Sequence, residues 1–75
     1  MARGLPSVSH HAKMSWPELV GRSAWAAIVV IKGQRQDVLI KLLGAGDQKP
    51  GDFDAHRVCL FIDDEGNVAK TAVVG

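Results

Sequence analysis

Apolar residues along this chain occur in one long run and three shorter ones, separated by polar residues and glycines. The long run, residues 24–32, has Ser23 before it as a helix N-cap and Gly33 after it as a C-terminal stop. Its β-branched stretch, residues 28–31, is also compatible with a strand. The cap, the alanines and the glycine favour a helix over residues 24–32, although its apolar residues surround the axis instead of forming one stripe.

The three shorter apolar runs predict strands. They span residues 38–43, 57–63 and 68–74. Residues 64–67 include Gly66 and form a turn, so the second and third strands are expected to pair as a hairpin. The whole pattern predicts an α+β fold, in which a single helix packs on a small β-sheet.

Two segments show no such pattern. Residues 44–55 contain glycines, a proline and several charged residues, and they are expected to form an exposed loop. Because connections are usually about 4–6 residues long, this loop is either functional or disordered. Residues 1–14 are expected to be a flexible N-terminal tail, and residues 15–75 the folded domain. His10 and His11 in the tail have no third ligand nearby, so no metal site is expected there.

Composition narrows the class of protein. A chain of 75 residues, 47% of them hydrophobic, forms one small globular domain. The formal net charge of +1 gives no footprint for nucleic acid. The apolar run at residues 24–31 is too short to span a bilayer, which takes about 20 residues. The lone Cys59 forms no internal disulfide and is expected to be a small buried hydrophobe. The N-terminus lacks the apolar centre of a secretory signal, which favours a cytosolic location.

Residues capable of chemistry are concentrated in and around the loop. Asp47, Asp52 and Asp54 precede His56, and a histidine beside carboxylates suits a general base or a metal site. However, a chain this small has little room for the rigid concave wall that a substrate cleft requires. The sequence also has no phosphate-binding glycine loop and no Cys-x-x-Cys pair. We therefore expect a protein that is not an enzyme, uses no cofactor or metal, and offers its loop to a binding partner.

Several blocks of residues, taken in order, resemble one known family. The run Trp-Pro-Glu-Leu-Val-Gly at residues 16–21 is followed by Arg22 and Ser23. The other matching blocks are residues 52–53, 57–58, 60–63, 67 and 74–75. Over residues 15–75 the chain is similar to the potato inhibitor I family, which includes the cereal chymotrypsin and subtilisin inhibitors. The resemblance implies one helix, a small mixed β-sheet and an extended, exposed binding loop.

The resemblance implies an inhibitor of serine endopeptidases. Members of the family present a substrate-like loop to the protease, and they are known mostly from plants, where they are linked to defence and the response to wounding. By the family's register, the scissile bond lies between Gly51 and Asp52, and Arg57 supports the loop. The residues implied to contact the protease are Asp47, Gln48, Lys49, Pro50, Phe53 and Asp54. The implied partners are serine proteases of the subtilisin and the chymotrypsin or elastase types.

The chain departs from the family's pattern at the centre of the loop. Gly51 stands where relatives carry Met, Leu or Lys, so it places no side chain in the primary specificity pocket of a protease. Pro50 replaces a Thr whose hydroxyl ties the loop to the domain, and Asp54 replaces an Arg. Cys59 replaces a second supporting residue, which is Arg or Trp in relatives. Arg57 is therefore expected to be the only basic side chain that supports the loop.

Trp25, with the apolar residues 24–28 around it, differs from relatives, which have charged residues on the outer face of the helix. Two interpretations are open. In the first, Trp25 has no binding role, because the tail covers the helix or the surface simply tolerates a Trp. In the second, Trp25 belongs to an exposed apolar patch that binds a partner or a second copy of the chain. The second interpretation, with Gly51 and Pro50, fits an alternative function, in which inhibition is weak or lost and the protein acts as a protein-interaction module.

Overall fold

The computed structural model of the chain describes residues 13–75. Its elements, in chain order, are strand β1 (Ser15–Trp16), a 3-10 helix (Pro17–Leu19), helix α1 (Ala24–Gln34), strand β2 (Leu39–Gly44), strand β3 (Arg57–Ile62) and strand β4 (Ala72–Val74). These strands form a four-stranded sheet in the order β1-β4-β3-β2. The sheet is mixed, because β2 and β3 are parallel while the other neighbouring pairs are antiparallel. Within the described residues, the predicted α+β fold with a single helix on a small mixed sheet is confirmed.

Helix α1 begins where the sequence predicts but ends later. The hydroxyl of Ser23 accepts a hydrogen bond from a backbone N–H of the first turn at 3.1 Å, which confirms the N-cap. The predicted end at Gly33 is wrong, since the helix continues to Gln34 and is capped by Arg35. Arg35 leaves the helix with a φ of -132°, while its N–H still bonds the carbonyl of Ile31 at 2.7 Å. The helix therefore ends without the left-handed glycine that the prediction assumed.

Two strands differ slightly from their predicted bounds. β2 runs Leu39–Gly44 instead of residues 38–43. β3 ends at Ile62, one residue before the predicted end. The reason is that the carboxylate of Asp63 accepts two backbone hydrogen bonds, at 2.9 and 3.0 Å, and so belongs to the turn that follows.

The predicted hairpin partner of β3, residues 68–74, is a regular strand only at its end. Val68 forms an isolated bridge with Ile62. The chain then bends at Lys70, whose Nζ lies 4.5 Å from the centre of the Phe61 ring. Because the bend interrupts the pairing, the strand proper is reduced to β4.

The hydrophobic core lies between α1 and the sheet. Its buried residues are Trp16, Leu19, Ala27, Ile31, Val38, Val58, Leu60, Val68, Ala72 and Val74. In β3, Val58 and Leu60 belong to this core, while Cys59 and Phe61 are buried on the opposite face. Cys59 is therefore the small buried residue that the sequence predicts. β3 is therefore buried on both faces and lies inside the sheet, between β4 and β2.

The first two described residues, Lys13 and Met14, contact the rest of the domain. The carbonyl of Met14 accepts a hydrogen bond from β4 at 2.9 Å. Lys13 forms an ion pair with a glutamate of the 3-10 helix at 2.5 Å, and its carbonyl accepts a hydrogen bond at 2.9 Å. Lys13 and Met14 therefore contact the folded part of the chain, while the boundary between a tail of residues 1–14 and a domain of residues 15–75 stays a prediction. His10 and His11, the histidine pair predicted to bind no metal, lie outside the described residues.

Candidate functional site

The loop that the sequence singles out connects two parallel neighbours in the sheet. β2 and β3 pair in parallel along all six residues of each strand. Because parallel strands begin at the same edge, the chain must return along the whole length of β2 before β3 can start, which takes about a dozen residues or more. Residues 45–56, here called the crossover loop, make this connection, and all of them except Pro50 are exposed. The length of the loop therefore follows from the topology.

Aspartates close the turns at both ends of the crossover loop. At the first end, the carboxylate of Asp47 accepts a hydrogen bond from Gly44 N at 2.8 Å, and Asp47 N donates to the Gly44 carbonyl at 3.0 Å. At the second end, the carboxylate of Asp54 accepts from His56 N at 2.9 Å, and Arg57 N donates to the Asp54 carbonyl at 3.1 Å. Both aspartates, which the sequence predicts to contact a protease, thus bond backbone groups at the two ends of the loop, Gly44 of β2 for Asp47 and His56 for Asp54.

Arg57, the first residue of β3, reaches back to the crossover loop. Its Nη2 donates a hydrogen bond to the Asp52 carbonyl at 2.5 Å, and its Nη1 lies 3.8 Å from the Asp52 carboxylate. Its Nε donates to the backbone oxygen of Gly75 at 3.0 Å, and Nη2 contacts the same oxygen. The guanidinium, which is 17% exposed, therefore joins Asp52 to the residue that follows β4. Arg57 and Asp52 are therefore paired in the structure.

The centre of the crossover loop is open. A Cβ atom added to Gly51 would meet no atom within 4 Å, and the φ of Gly51 lies outside the left-handed region. Its backbone is therefore one that any L-amino acid can adopt. Phe53 is 67% exposed, and Gln48 is exposed as well. Gly75 packs against the loop, since a Cβ placed there would lie 2.8 Å from Lys49 Nζ and 3.4 Å from Phe53 Cδ1.

A second arginine, which the sequence analysis did not identify, lies against the last two residues of the crossover loop, Ala55 and His56, here called its stem. Arg35 is 6% exposed, and its Nη2 donates a hydrogen bond to the Ala55 carbonyl at 3.3 Å. Its Nε and Nη2 bond the two carboxylate oxygens of Asp37 at 2.9 and 2.8 Å, and Asp37 Oδ2 lies 3.1 Å from His56 Nδ1. We call Arg35, Asp37 and His56 the Arg35 cluster. Arg35 is therefore a second arginine in contact with the crossover loop, beside Arg57.

Charge in the Arg35 cluster is balanced locally. The hydrogen bonds from Arg35 hold the pKa of the Asp37 carboxyl well below its usual range, although desolvation acts in the opposite direction. The same hydrogen bonds raise the pKa of the Arg35 guanidinium. In the sequence, both residues belong to a polar connector without any period. The spacing of Arg35 and Asp37, two residues apart, is the single feature of the sequence that hints at their ion pair. It does not indicate that Arg35 is buried.

The polar side chains of the loop are engaged separately. The ring of His56 contacts Asp37, while the loop aspartates bond backbone groups or Arg57. Among residues 13–75, no group of three or more His, Cys, Asp or Glu side chains is placed to hold a metal ion. In the same part of the chain, no helix has the length and apolar character needed to cross a membrane.

Comparisons with a family model and with known proteins indicate the same family. The family model of the potato inhibitor I family matches residues 8–75. A chymotrypsin inhibitor from Lumbricus terrestris is 38% identical over 63 residues, which cover 84% of this chain and 73% of that protein. Subtilisin inhibitor 1 from Phaseolus angularis is 36% identical over 63 residues, which cover 84% of this chain and 68% of that protein.

Solved structures agree with these sequence relatives. The crystal structure of bitter gourd trypsin inhibitor matches with a TM-score of 0.78 at 33% identity, covering 84% of this chain and 93% of that chain. The solution structure of Cucurbita maxima trypsin inhibitor-V matches with a TM-score of 0.64 at 32% identity and the same coverage. These relatives are protease inhibitors and not enzymes. The chain therefore belongs to the potato inhibitor I family, a family of serine protease inhibitors.

Proposed function

We propose that this chain inhibits serine endopeptidases by presenting the crossover loop as a substrate-like segment, with the scissile bond between Gly51 and Asp52. The observation that carries the proposal is the double contact of Arg57 with Asp52, to the carbonyl at 2.5 Å and to the carboxylate at 3.8 Å. These contacts hold the residue after the scissile bond, while the residue before it stays open to a protease. A loop that already has its bound shape loses less entropy on binding.

The residues proposed to contact the protease lie on both sides of this bond. They are Asp47, Gln48, Lys49 and Pro50 before it, and Phe53 and Asp54 after it. Phe53, two-thirds exposed, is the large apolar side chain of the loop and is suited to direct contact. The carboxylates of Asp47 and Asp54 bond backbone N–H groups at the two ends of the loop, so these two residues also shape the surface that the protease meets.

Gly51 narrows the choice of protease. It offers no side chain, so pockets that tolerate a small residue, as in subtilisin-like and elastase-like enzymes, fit better than a trypsin-like pocket that requires a basic residue. Chymotrypsin-like enzymes are also candidates, because the sequence relatives are named for chymotrypsin and subtilisin. A register shifted to Lys49 would place Pro50 after the scissile bond, where serine proteases rarely accept proline.

The proposal is tested by titrating the purified chain against subtilisin, elastase, chymotrypsin and trypsin, with mass spectrometry of the incubated protein. We expect tight inhibition of at least one of the first three enzymes, together with slow, single cleavage between Gly51 and Asp52. Each protease with its active-site serine chemically blocked is the control, since an occupied cleft should not bind the loop. Rapid cleavage at several loop bonds, or inhibition of none of these enzymes, would contradict the proposal.

The outer face of α1 favours a second candidate function, self-association. Trp25 and Val29 lie one helical turn apart, are 75% and 56% exposed, and form what we call the helix patch. Two neighbouring exposed apolar side chains favour contact with another apolar surface. We propose a second copy of the chain as its partner, in line with the alternative function of an interaction module.

Sedimentation velocity over a range of protein concentrations tests this second candidate. If the chain self-associates, a species with a larger sedimentation coefficient should appear at high protein concentration. The substitution Trp25→Glu should abolish this species. Val20→Glu is the matched control, since Val20 is another exposed apolar residue but lies outside α1. A wild-type chain that sediments as a monomer at every concentration rules out the helix patch as a self-association surface.

A further inference from the structure

We infer that Arg35 is a positioning residue for inhibition, which fixes the stem of the crossover loop after the scissile bond. The inference rests on the proposed function, because it assigns a second support to the same loop. Arg35 caps α1 and is remote in sequence from the loop that it contacts. The fold, and not the local sequence, therefore brings Arg35 next to Ala55.

The guanidinium of Arg35 is buried and held in one orientation. A buried charge is costly unless it is paired and hydrogen-bonded. Asp37 supplies both, because its two oxygens accept from Nε at 2.9 Å and from Nη2 at 2.8 Å. Such a two-point pairing sets the plane of the guanidinium. A further hydrogen bond, from Nη1 to the Lys13 carbonyl at 2.9 Å, holds its other side.

This fixed group acts on the crossover loop at two neighbouring residues. Nη2 of Arg35 donates to the Ala55 carbonyl at 3.3 Å. Asp37 Oδ2 lies 3.1 Å from His56 Nδ1, and the carbonyl of His56 accepts from Leu39 N at 2.8 Å. The stem is therefore held by two sets of contacts, from the side chains of Arg35 and Asp37 and from the backbone of Leu39 in β2.

Two arginines thus bracket the segment that follows the scissile bond. Arg57 holds Asp52 at the start of the segment, and Arg35 holds Ala55 near its end. The family resemblance places a second supporting residue at position 59, but Cys59 is buried and has no long basic side chain. Arg35 supplies a second basic contact from a different element.

Holding this segment matters after the loop is cut as well as before. When a serine protease attacks, the Gly51 carbonyl becomes esterified to the catalytic serine, and the amino group of Asp52 is released. If this amino group stays in place, it attacks the ester, which re-forms the peptide bond and returns the serine hydroxyl. If the segment moves away, water hydrolyses the ester and leaves the Gly51 carboxylate. We expect Arg35 to favour the first outcome.

The test compares Arg35→Met, which removes the hydrogen bonds but keeps an unbranched apolar side chain, with Ile31→Val. Ile31 lies one turn earlier on α1 and is buried in the core, so this control perturbs packing away from the loop. Three quantities are measured for each variant. They are the backbone 15N relaxation of residues 52–56 in the free protein, the inhibition constant, and the rate of cleavage at Gly51–Asp52 with the protease that the wild type inhibits most tightly.

Arg35→Met should loosen residues 52–56 and raise both the inhibition constant and the cleavage rate by about tenfold or more, because more of the loop must be ordered on binding. Ile31→Val should leave both constants within about twofold of the wild type, since it removes one methyl group from the core. Arg35→Lys keeps the charge but loses the two-point pairing, so intermediate values are expected. If Arg35→Met does not fold, Arg35→Lys replaces it as the test variant.

The inference is overturned if both Arg35 variants keep residues 52–56 as ordered as in Ile31→Val and inhibit as well as that control. In that case Arg35 contributes to stability alone. Failure of the proposed function would look different, because the wild-type chain would then inhibit no protease. The relaxation of residues 52–56 in the free protein would still decide whether Arg35 fixes the loop.

Discussion

At Gly51 the crossover loop has room for a side chain that the sequence does not supply. An added Cβ meets no atom within 4 Å, and the residue does not adopt a left-handed conformation. Glycine is therefore not required here by the geometry of the backbone. In the proposed mechanism it leaves the specificity pocket of the protease empty, so the affinity depends on the neighbouring contacts.

Gly51→Met should strengthen inhibition of subtilisin-like or chymotrypsin-like proteases by about tenfold or more, since burying an apolar side chain contributes about 1.5–3 kcal/mol. Gly46→Met is the matched control, because an added Cβ at Gly46 also meets no atom within 4 Å but lies away from the scissile bond. Inhibition constants of the two variants measure the effect. If Gly51→Met does not bind more tightly, the scissile bond is assigned wrongly.

The two arginines at the loop differ in how far the sequence reveals them. Arg57 stands in a motif with Asp52 that resembles a known family, and the structure joins these two residues. Arg35 stands in a polar connector, where an arginine is ordinarily exposed. Its burial depends on Asp37 and Ala55, which the fold brings together from separate segments. The spacing of Arg35 and Asp37 is a weak signal for their pairing, but nothing in the sequence indicates the contact with Ala55.

At the scale of whole elements, local patterns predicted helix α1 and strands β2, β3 and β4, but they missed strand β1 and the 3-10 helix and misplaced several element ends. The cap at Ser23 is a local interaction, and its prediction is confirmed. The end of α1 is not local, because the helix continues past Gly33 to Gln34 and so places Arg35 against Asp37 and Ala55. The bend at Lys70, which shortens the last strand, likewise depends on the neighbouring strand.

Gly33→Ala should raise the free energy of unfolding by about 0.5–1 kcal/mol, because alanine has the higher helix propensity. Gly33 lies inside α1, and an added Cβ there meets no atom within 4 Å. Guanidinium denaturation measures the change. Gly66→Ala is a control of opposite sign, since Gly66 has a φ of 83°, which strains alanine. A loss of stability in Gly33→Ala would indicate that the helix stops before this residue.

At the scale of the whole molecule, the Arg35 cluster joins three separate parts of the chain. Arg35 bonds the N-terminal segment at Lys13, the connector at Asp37 and the loop stem at Ala55. The charge on Asp37 therefore stabilises contacts among segments that are distant in sequence. Arg35 and His56 are the charged or titratable side chains in contact with it.

Acid should remove this stabilisation. Because Arg35 lowers the pKa of Asp37 in the folded chain, the contribution is fully present above the pKa of the unfolded carboxyl, about 3.9, and is lost as the pH falls below it towards the folded pKa. Asp37→Asn should therefore unfold at a lower denaturant concentration than the wild type at pH 7. The gap should shrink between about pH 4 and pH 2. A gap of constant size over this range would show that the ionised carboxylate is not what stabilises the fold.

The strand order has a consequence for the protein after cleavage. In the order β1-β4-β3-β2, the C-terminal strands β3 and β4 lie between β1 and β2, which belong to the N-terminal part. A cut in the crossover loop thus leaves two pieces that remain paired along both sides. Their unfolding is then a two-chain dissociation, so the melting temperature of the cut protein rises with its concentration, while that of the intact chain does not. The uncut crossover loop is thus a tether, and it sets the effective concentration of the part of the chain before the loop relative to the part after it.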